Sequence, residues 1–320
     1  MNMRDKQIYN QEVDLNKKVN HNPFCVVILG NGFDLGLGLK TSYKDFANSK
    51  YWPFCSNKKW EPRSLAYFLN EKKNEPNSWF DVEELLATYA KSKKRSSKEQ
   101  AKRDYEEFCL LAKALGAYLQ EQEDIFCTNM SENMHAKRAT SAHLFLQNFI
   151  DKDVNIYSFN YTNTYRLANT IILNFQHNIC HIHGSLKENN IILGTGDQQD
   201  FHPSCFRFYK SANPNYKSTS LVEDLMQADE VYIFGHSLGR NDHDYFYDFF
   251  QKCIKAQHTA EDKKVKIRIF TWDEESEIEI KRQLRVLTDK HLIGLYAKTD
   301  LEILKISQIE DEQRLLYGNF

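Results

Sequence analysis

The chain has 320 residues, a net charge of −2 and a pI near 6.6. Without a basic excess it lacks the electrostatic footprint of a general nucleic-acid binder. Its 12 glycines and 6 prolines are too few for a loop-rich or all-β chain, while 41% hydrophobic content suffices to bury a core. Residues 1–22, "MNMRDKQIYNQEVDLNKKVNHN", are polar and read as a flexible lead-in, not a secretory signal. No apolar run reaches membrane-spanning length, so the sequence reads as cytoplasmic with no membrane partner. The seven cysteines include no C-x-x-C pair and are odd in number, which argues against a disulfide framework or a zinc ribbon.

Residues 25–30, "CVVILG", form a short apolar run ending in glycine, the pattern of a fully buried parallel strand. A helical block follows over about 65–150. Val82, Leu85, Leu86 and Tyr89 recur at helical spacing, as do Phe108, Leu111, Ala112, Leu115, Tyr118 and Leu119. Asp81 and Glu84 have the spacing of a capping box. The charged stretch "KSKKRSSKEQAKRDYEE" is either a helix extension or an exposed link, and another helix is expected over 136–150. Strands are then expected at 154–161, 178–186, 191–197, 230–235, 264–272 and 292–297. Helices are expected at 219–229, 242–255 and 274–287. This alternation implies an α/β fold: a mostly parallel sheet with helices on both faces, Rossmann-like, as one domain over 23–320 with a helical insertion after its first strand.

Ligands of open α/β sheets bind outside the carboxyl ends of the strands. Four expected strand ends carry small or hydrogen-bonding residues: Gly30-Asn31-Gly32-Phe33-Asp34, Phe159-Asn160-Tyr161-Thr162-Asn163, His181-Ile182-His183-Gly184-Ser185 and Gly235-His236-Ser237-Leu238-Gly239. Gly30 and Gly32 permit a sharp turn and a close approach to a pyrophosphate; a plain strand-to-helix turn needs the same residues. His183 is a candidate general base near physiological pH, or a histidine satisfied by the backbone. Asn160 offers a donor and an acceptor for a ribose or carboxamide, or forms a turn. Asp34 orders the first loop, binds a ribose hydroxyl, or caps a helix. His181 and His183 share a strand face, but neither His177 nor His202 completes a recognisable metal set, and no metal is expected. Gly235 to Gly239 also fits G-x-S-x-G, with Asp273 and His291 following in hydrolase order, so a serine hydrolase using Ser237 is a competing reading.

The stretches "ILGNGFDLGLGLKTSYKDF", "SWFDVEELL", "FNYTN", "HIHGSL" and "FGHSLGRNDHDYF" resemble, in this order, the bacterial abortive-infection AbiH family. The resemblance implies defence against bacteriophage and a distant likeness to the sirtuin NAD-binding fold. It implies that Gly30 and Gly32 hold a pyrophosphate, that Asn160 lies near the nicotinamide ribose, that His183 is the catalytic histidine, and that Gly235 and Ser237 lie near the adenosine ribose. Thr162 stands where the sirtuin pattern has an acid, and the sirtuin zinc module is absent, so plain cleavage of NAD is implied rather than protein deacetylation. The expected site is therefore catalytic His183 and Asn160, with Gly30, Asn31, Gly32, Phe33, Asp34, Thr162, Gly235, His236 and Ser237 around NAD or a related nucleotide as substrate or ligand. Asp81 and Glu83 lie in a further family-like stretch, read equally as cap and helix surface. The helical block is the candidate for sensing a phage-derived trigger or for a homo-oligomer surface. A nucleotide sensor without turnover is a further alternative. A nuclease would need metal, and the near-neutral charge offers no phosphate-binding footprint.

Overall fold

The computed structural model describes residues 23–54, 59–75, 81–93, 96–132, 140–172, 174–256 and 263–306; the expected lead-in lies outside them. Six strands form one all-parallel sheet: β1 Cys25–Leu29, β2 Val154–Ser158, β3 Ile179–His181, β4 Glu230–Phe234, β5 Lys266–Thr271 and β6 Asp300–Lys305. Their order is β3-β2-β1-β4-β5-β6, so the chain reverses direction across the sheet between β1 and β4. The period-2 alternation of strand side chains divides the core between the two faces. Val27, Leu29, Tyr232, Phe234 and Phe270 point to one face, and Val26, Ile28, Val231, Ile233, Ile267 and Ile269 to the other.

Helices cover both faces. On the first lie α1 (Asn31–Gly36), α6 (Ser141–Gln147) and α7 (Thr164–Ile171), through Phe33, Phe145, Leu146, Leu167 and Ile171. On the second lie α8 (Leu221–Gln227), α9 (His243–Lys255), α10 (Glu274–Leu287) and α11 (Leu292–Lys298), through Leu225, Phe246, Phe249, Phe250, Leu284 and Leu295. The insertion supplies α2 (Tyr43–Ala47), α3 (Leu65–Lys73), α4 (Val82–Ser92) and α5 (Lys98–Glu132). Its own core joins Phe46, Phe54, Leu69, Leu86 and Tyr89 to Leu111, Leu115 and Tyr118 of α5.

At 35 residues α5 runs about 52 Å. Its first two-thirds pack in the insertion core, while Phe126 and Met130 pack against the sheet. Buried carboxylates on α5 also cap other helices. Asp104 Oδ1 and Glu107 Oε2 accept the Leu65 and Ala66 amides of α3 at 3.3 and 2.7 Å, and Glu123 accepts the Asn163 amide at the start of α7. These otherwise orphaned helix-end donors make the carboxylates tolerable in a dry environment.

Several expected elements differ. Residues 191–197 form no strand: beyond a single bridge of Thr195 to Tyr209 they are loop, because Gly194 turns at φ +154°. Residues 292–297 are the helix α11, with Ile293 86% exposed. The last strand is β6, which reads polar because an edge strand exposes Asp300 and Glu302 while burying Leu301. Strands β2 and β3 are shorter than expected, their polar ends already turning away from the sheet. The helix expected over 136–150 is observed as α6; residues 136–139 lie outside the described chain. Asp81 caps α4 by accepting the Glu83 and Glu84 amides.

The ends of β1 and β4 meet backbone to backbone. Gly30 N donates to Phe234 O at 3.0 Å, and Gly32 N to Gly235 O at 2.9 Å. A Cβ on Gly30 would stand 2.5 Å from His236 Cα, and one on Gly32 would overlap Gly235 Cα. Gly235 has φ +64°, which suits glycine alone at low cost. Gly32→Ala is expected to destabilise the fold by about 3 kcal/mol in urea unfolding, the scale of an overpacked core, because only backbone can yield.

Candidate functional site

The carboxyl ends of β1, β2, β3 and β4 carry two adjoining polar groups of residues. In the first, Asp34 of α1 is buried and accepts from Asn160 Nδ2 at 2.9 Å and Thr162 Oγ1 at 2.7 Å. Burial, opposed by these two hydrogen bonds, pushes its pKa up to about 7. Asp34 thus ties the β1 loop to the β2 loop and is not a helix cap: the N-cap of α1 is Gly30. His181 Nδ1 lies 3.1 Å from the Asn160 carbonyl, which adds β3 to the same join.

The second group is ionic. Lys210, only 3% exposed, opens a short 3-10 helix (Lys210–Ala212). Its Nζ lies 3.0 Å from Glu83 Oε2, 3.0 Å from Asp242 Oδ1, and near both ring nitrogens of His183, 3.4 Å from Nδ1 and 3.3 Å from Nε2. Of the two His183 nitrogens only Nε2 also approaches Asp242 Oδ1, at 3.3 Å, so a proton on Nε2 faces that carboxylate and leaves Nδ1 as the acceptor for Lys210. The other oxygen of Asp242 lies 3.3 Å from His236 Nε2. Tyr161 donates its hydroxyl proton to Glu83 Oε1 at 2.7 Å, and Tyr43 hydrogen-bonds Tyr161. The histidines pack around Phe159, His183 edge-on with ring centroids 5.3 Å apart and His236 tilted at 4.3 Å.

Electrostatics divide these groups. Burial, reinforced by the Lys210 ammonium, pushes His183 down to about 3, so the imidazole is neutral at physiological pH. Burial works against the Lys210 charge, yet Asp242 and Glu83 hold it above the ordinary lysine value. Burial also opposes ionisation of Asp242, but Lys210, His183 and the His236 hydrogen bond hold it well below the usual carboxylate range. Glu83 goes the other way: burial outweighs Lys210 and raises it. Glu83 is thus held nearer neutrality than Asp242. Its dry, cation-flanked position keeps His183 neutral, as expected of a base, but makes it a weak one.

The sequence-derived residues fall into three sets. His183, Asn160, Asp34, Thr162 and His236 converge. Gly30, Gly32 and Gly235 pack against one another, and the Gly30 and Gly32 amides expected to face a pyrophosphate are spent on the β4 end. Phe33 is in the core, Asn31 accepts from the Thr41 hydroxyl at 2.7 Å, and Ser237 is exposed. No hydrolase triad assembles. Asp273 caps α10 through Ser276, and His291 lies beyond the far end of that 14-residue helix, about 21 Å long. Lys210, Asp242 and Tyr161 were not anticipated, and Glu83 only as one of two readings. Asp242 lies within "FGHSLGRNDHDYF", whereas nothing local marks Lys210 in "FRFYK". Among the described residues no group of three or more His, Cys, Asp or Glu is placed to hold a metal ion. None of the described helices is long and apolar enough to cross a membrane.

A doubly wound parallel sheet with a buried ionic network at its switch point defines a Rossmann-like α/β protein whose site lies where such folds bind ligands. Residues 26–261 match the family model described as bacteriophage abortive infection AbiH, and the chain belongs to that family. Its role is accordingly in abortive-infection defence against phage. No curated protein and no solved structure matched the chain.

Two outcomes are expected of this geometry. Lys210→Met strands the Asp242 and Glu83 carboxylates in a dry site and should cost about 4 kcal/mol in urea unfolding. Glu83→Gln, which keeps one acceptor oxygen for Lys210 and turns an amide N–H towards the Tyr161 oxygen, should cost much less. Asp34→Asn mimics the protonated acid, accepting from Asn160 and donating to Thr162. Because the folded pKa of Asp34 is raised to about 7, its stabilising contribution is full below the ordinary value of 3.8 and is lost as pH rises through about 7. Urea midpoints of Asp34→Asn and wild type should therefore coincide near pH 4 and separate towards pH 8, with the variant the more stable.

Proposed function

We propose that this defence protein cleaves NAD, or a related nucleotide, at the nicotinamide–ribose bond. The observation that carries the reading is the charge of the buried network. Two carboxylates, Glu83 and Asp242, oppose one ammonium, Lys210, beside a neutral His183. With Glu83 ionised, this leaves a net negative charge in a dry environment. That charge complements the pyridinium of NAD and the oxocarbenium-like centre that develops at C1′. The C1′–N bond breaks with its electron pair leaving on nicotinamide, and a water oxygen bonds to C1′. The water proton passes to the Glu83 carboxylate. Asp242 stays ionised and stabilises the developing positive charge. When the site opens, neutral His183 exchanges its Lys210 contact for the water or ribose. Asn160, whose amide nitrogen anchors Asp34, offers its oxygen to a ribose hydroxyl.

Unchecked loss of NAD is toxic, so such an activity needs a gate. The network is closed in this conformation, and one of its members, Glu83, belongs to the helical insertion. A phage-derived trigger acting on the insertion is the simplest gate. The lowered pKa of His183, which makes it a weak proton acceptor, favours a second reading, a nucleotide sensor without turnover.

NAD content in cells expressing wild type, Glu83→Gln or His183→Ala, with and without phage, separates the two. An infection-dependent fall of tenfold or more in wild type, absent from both variants, is expected. Protection with constant NAD overturns cleavage of NAD, and survival of protection in both variants then favours the sensor.

A further inference from the structure

Asp242 is held on its second oxygen by a residue that takes no part in the reaction proposed above. The His236 ring is buried against Phe159 and Phe246, with centroids 4.3 and 5.4 Å away. Its Nδ1 accepts the Leu238 amide proton at 3.0 Å. A ring nitrogen that accepts a hydrogen bond carries no proton, so the ring proton of His236 is on Nε2, 3.3 Å from Asp242 Oδ2. Leu238 itself has φ +52°, a left-handed conformation that a residue with a Cβ rarely adopts. Its buried side chain fixes that turn, and the turn aims its amide back at the imidazole. Such strain persists only where the surroundings over-determine it, and it clusters at working sites.

We infer that His236 is a positioning residue, locked as its Nε2–H tautomer by the Leu238 amide so that it fixes Asp242 and leaves Asp242 Oδ1 aimed at Lys210 and His183. Both His236 ring nitrogens are thereby spent inside the protein. The nucleotide contact expected of His236 from the sequence is replaced by an orienting role. Only the kinetic consequence of this inference rests on the proposed reaction.

The test uses the full chain labelled with 15N-histidine, read at pH 7 by long-range proton–nitrogen spectra of the imidazoles. His236→Gln keeps a side-chain N–H for Asp242; His236→Phe keeps only the ring volume. The cross-peak lost in both variants identifies His236. In wild type, His236 and His183 are both expected as single Nε2–H tautomers. In His236→Phe, the His183 signal should move to a mixture of tautomers or begin to titrate; in His236→Gln it should stay. If NAD is the substrate, turnover should fall about 10- to 100-fold in His236→Phe, the usual loss for an outer orienting partner, and less in His236→Gln. A His236 proton on Nδ1, exchange between tautomers, or a His183 signal unmoved in folded His236→Phe would overturn the inference. If His236→Phe fails to fold, the wild-type tautomer and the His183 signal of His236→Gln decide it. The spectra need no substrate, so absence of NAD turnover beside the expected tautomers removes the reaction and leaves the positioning role standing.

Discussion

The ammonium of Lys210 holds the site together. Its partners come from three parts of the chain: Glu83 from the insertion, His183 from beyond β3 and Asp242 from the turn before α9. Burying a charge is costly, and a buried ion pair seldom adds much net stability over a well-packed apolar core. What such a pair does impose is geometry, because each donor and acceptor left unmatched in a dry environment carries a large penalty. Lys210 thus couples the position of the insertion to that of the sheet, and any displacement of one against the other breaks hydrogen bonds in the site itself.

The same constraint explains the other buried acids. Asp104 and Glu107 meet helix-end amides of α3, and Asp104 also meets Lys93 at 3.1 Å. Glu123 meets the Asn163 amide and Arg166, directly after the β2 loop that holds Asn160 and Thr162. All three lie on α5, so this helix fixes the insertion at one end and the loop beside Asp34 at the other. The insertion therefore meets the site at two places, through Glu83 of α4 and, by the Glu123–Asn163 hydrogen bond, through α5 at the β2 end.

Family membership and site geometry address different levels of function. Membership in the AbiH family assigns a role in phage defence; the chemistry has to be argued from the network. Its division into a persistently ionised Asp242, a neutral His183 and a Glu83 raised towards neutrality suits proton exchange next to a stabilising negative charge. Low exposure to water strengthens every one of those interactions.

The sequence by itself determined the fold class and the neighbourhood of the site. Buried strands such as "CVVIL" are continuous apolar runs, and the polar residues that follow them lie at the carboxyl edge of any parallel sheet. It misread 191–197 and 292–297 because a short apolar run fits strand or helix equally, and it passed over β6 because an edge strand needs only one apolar face. Asn160, His183 and His236 were legible as strand-end residues, but not what they do. Only the tertiary structure decided that the Gly30 and Gly32 amides serve the β4 end, that Ser237, Asp273 and His291 stay apart, and that Lys210 is buried at the centre. Periodicity reports how each residue is buried within its own element. The charge state and role of an ionisable side chain depend on partners far along the chain, which local pattern does not encode.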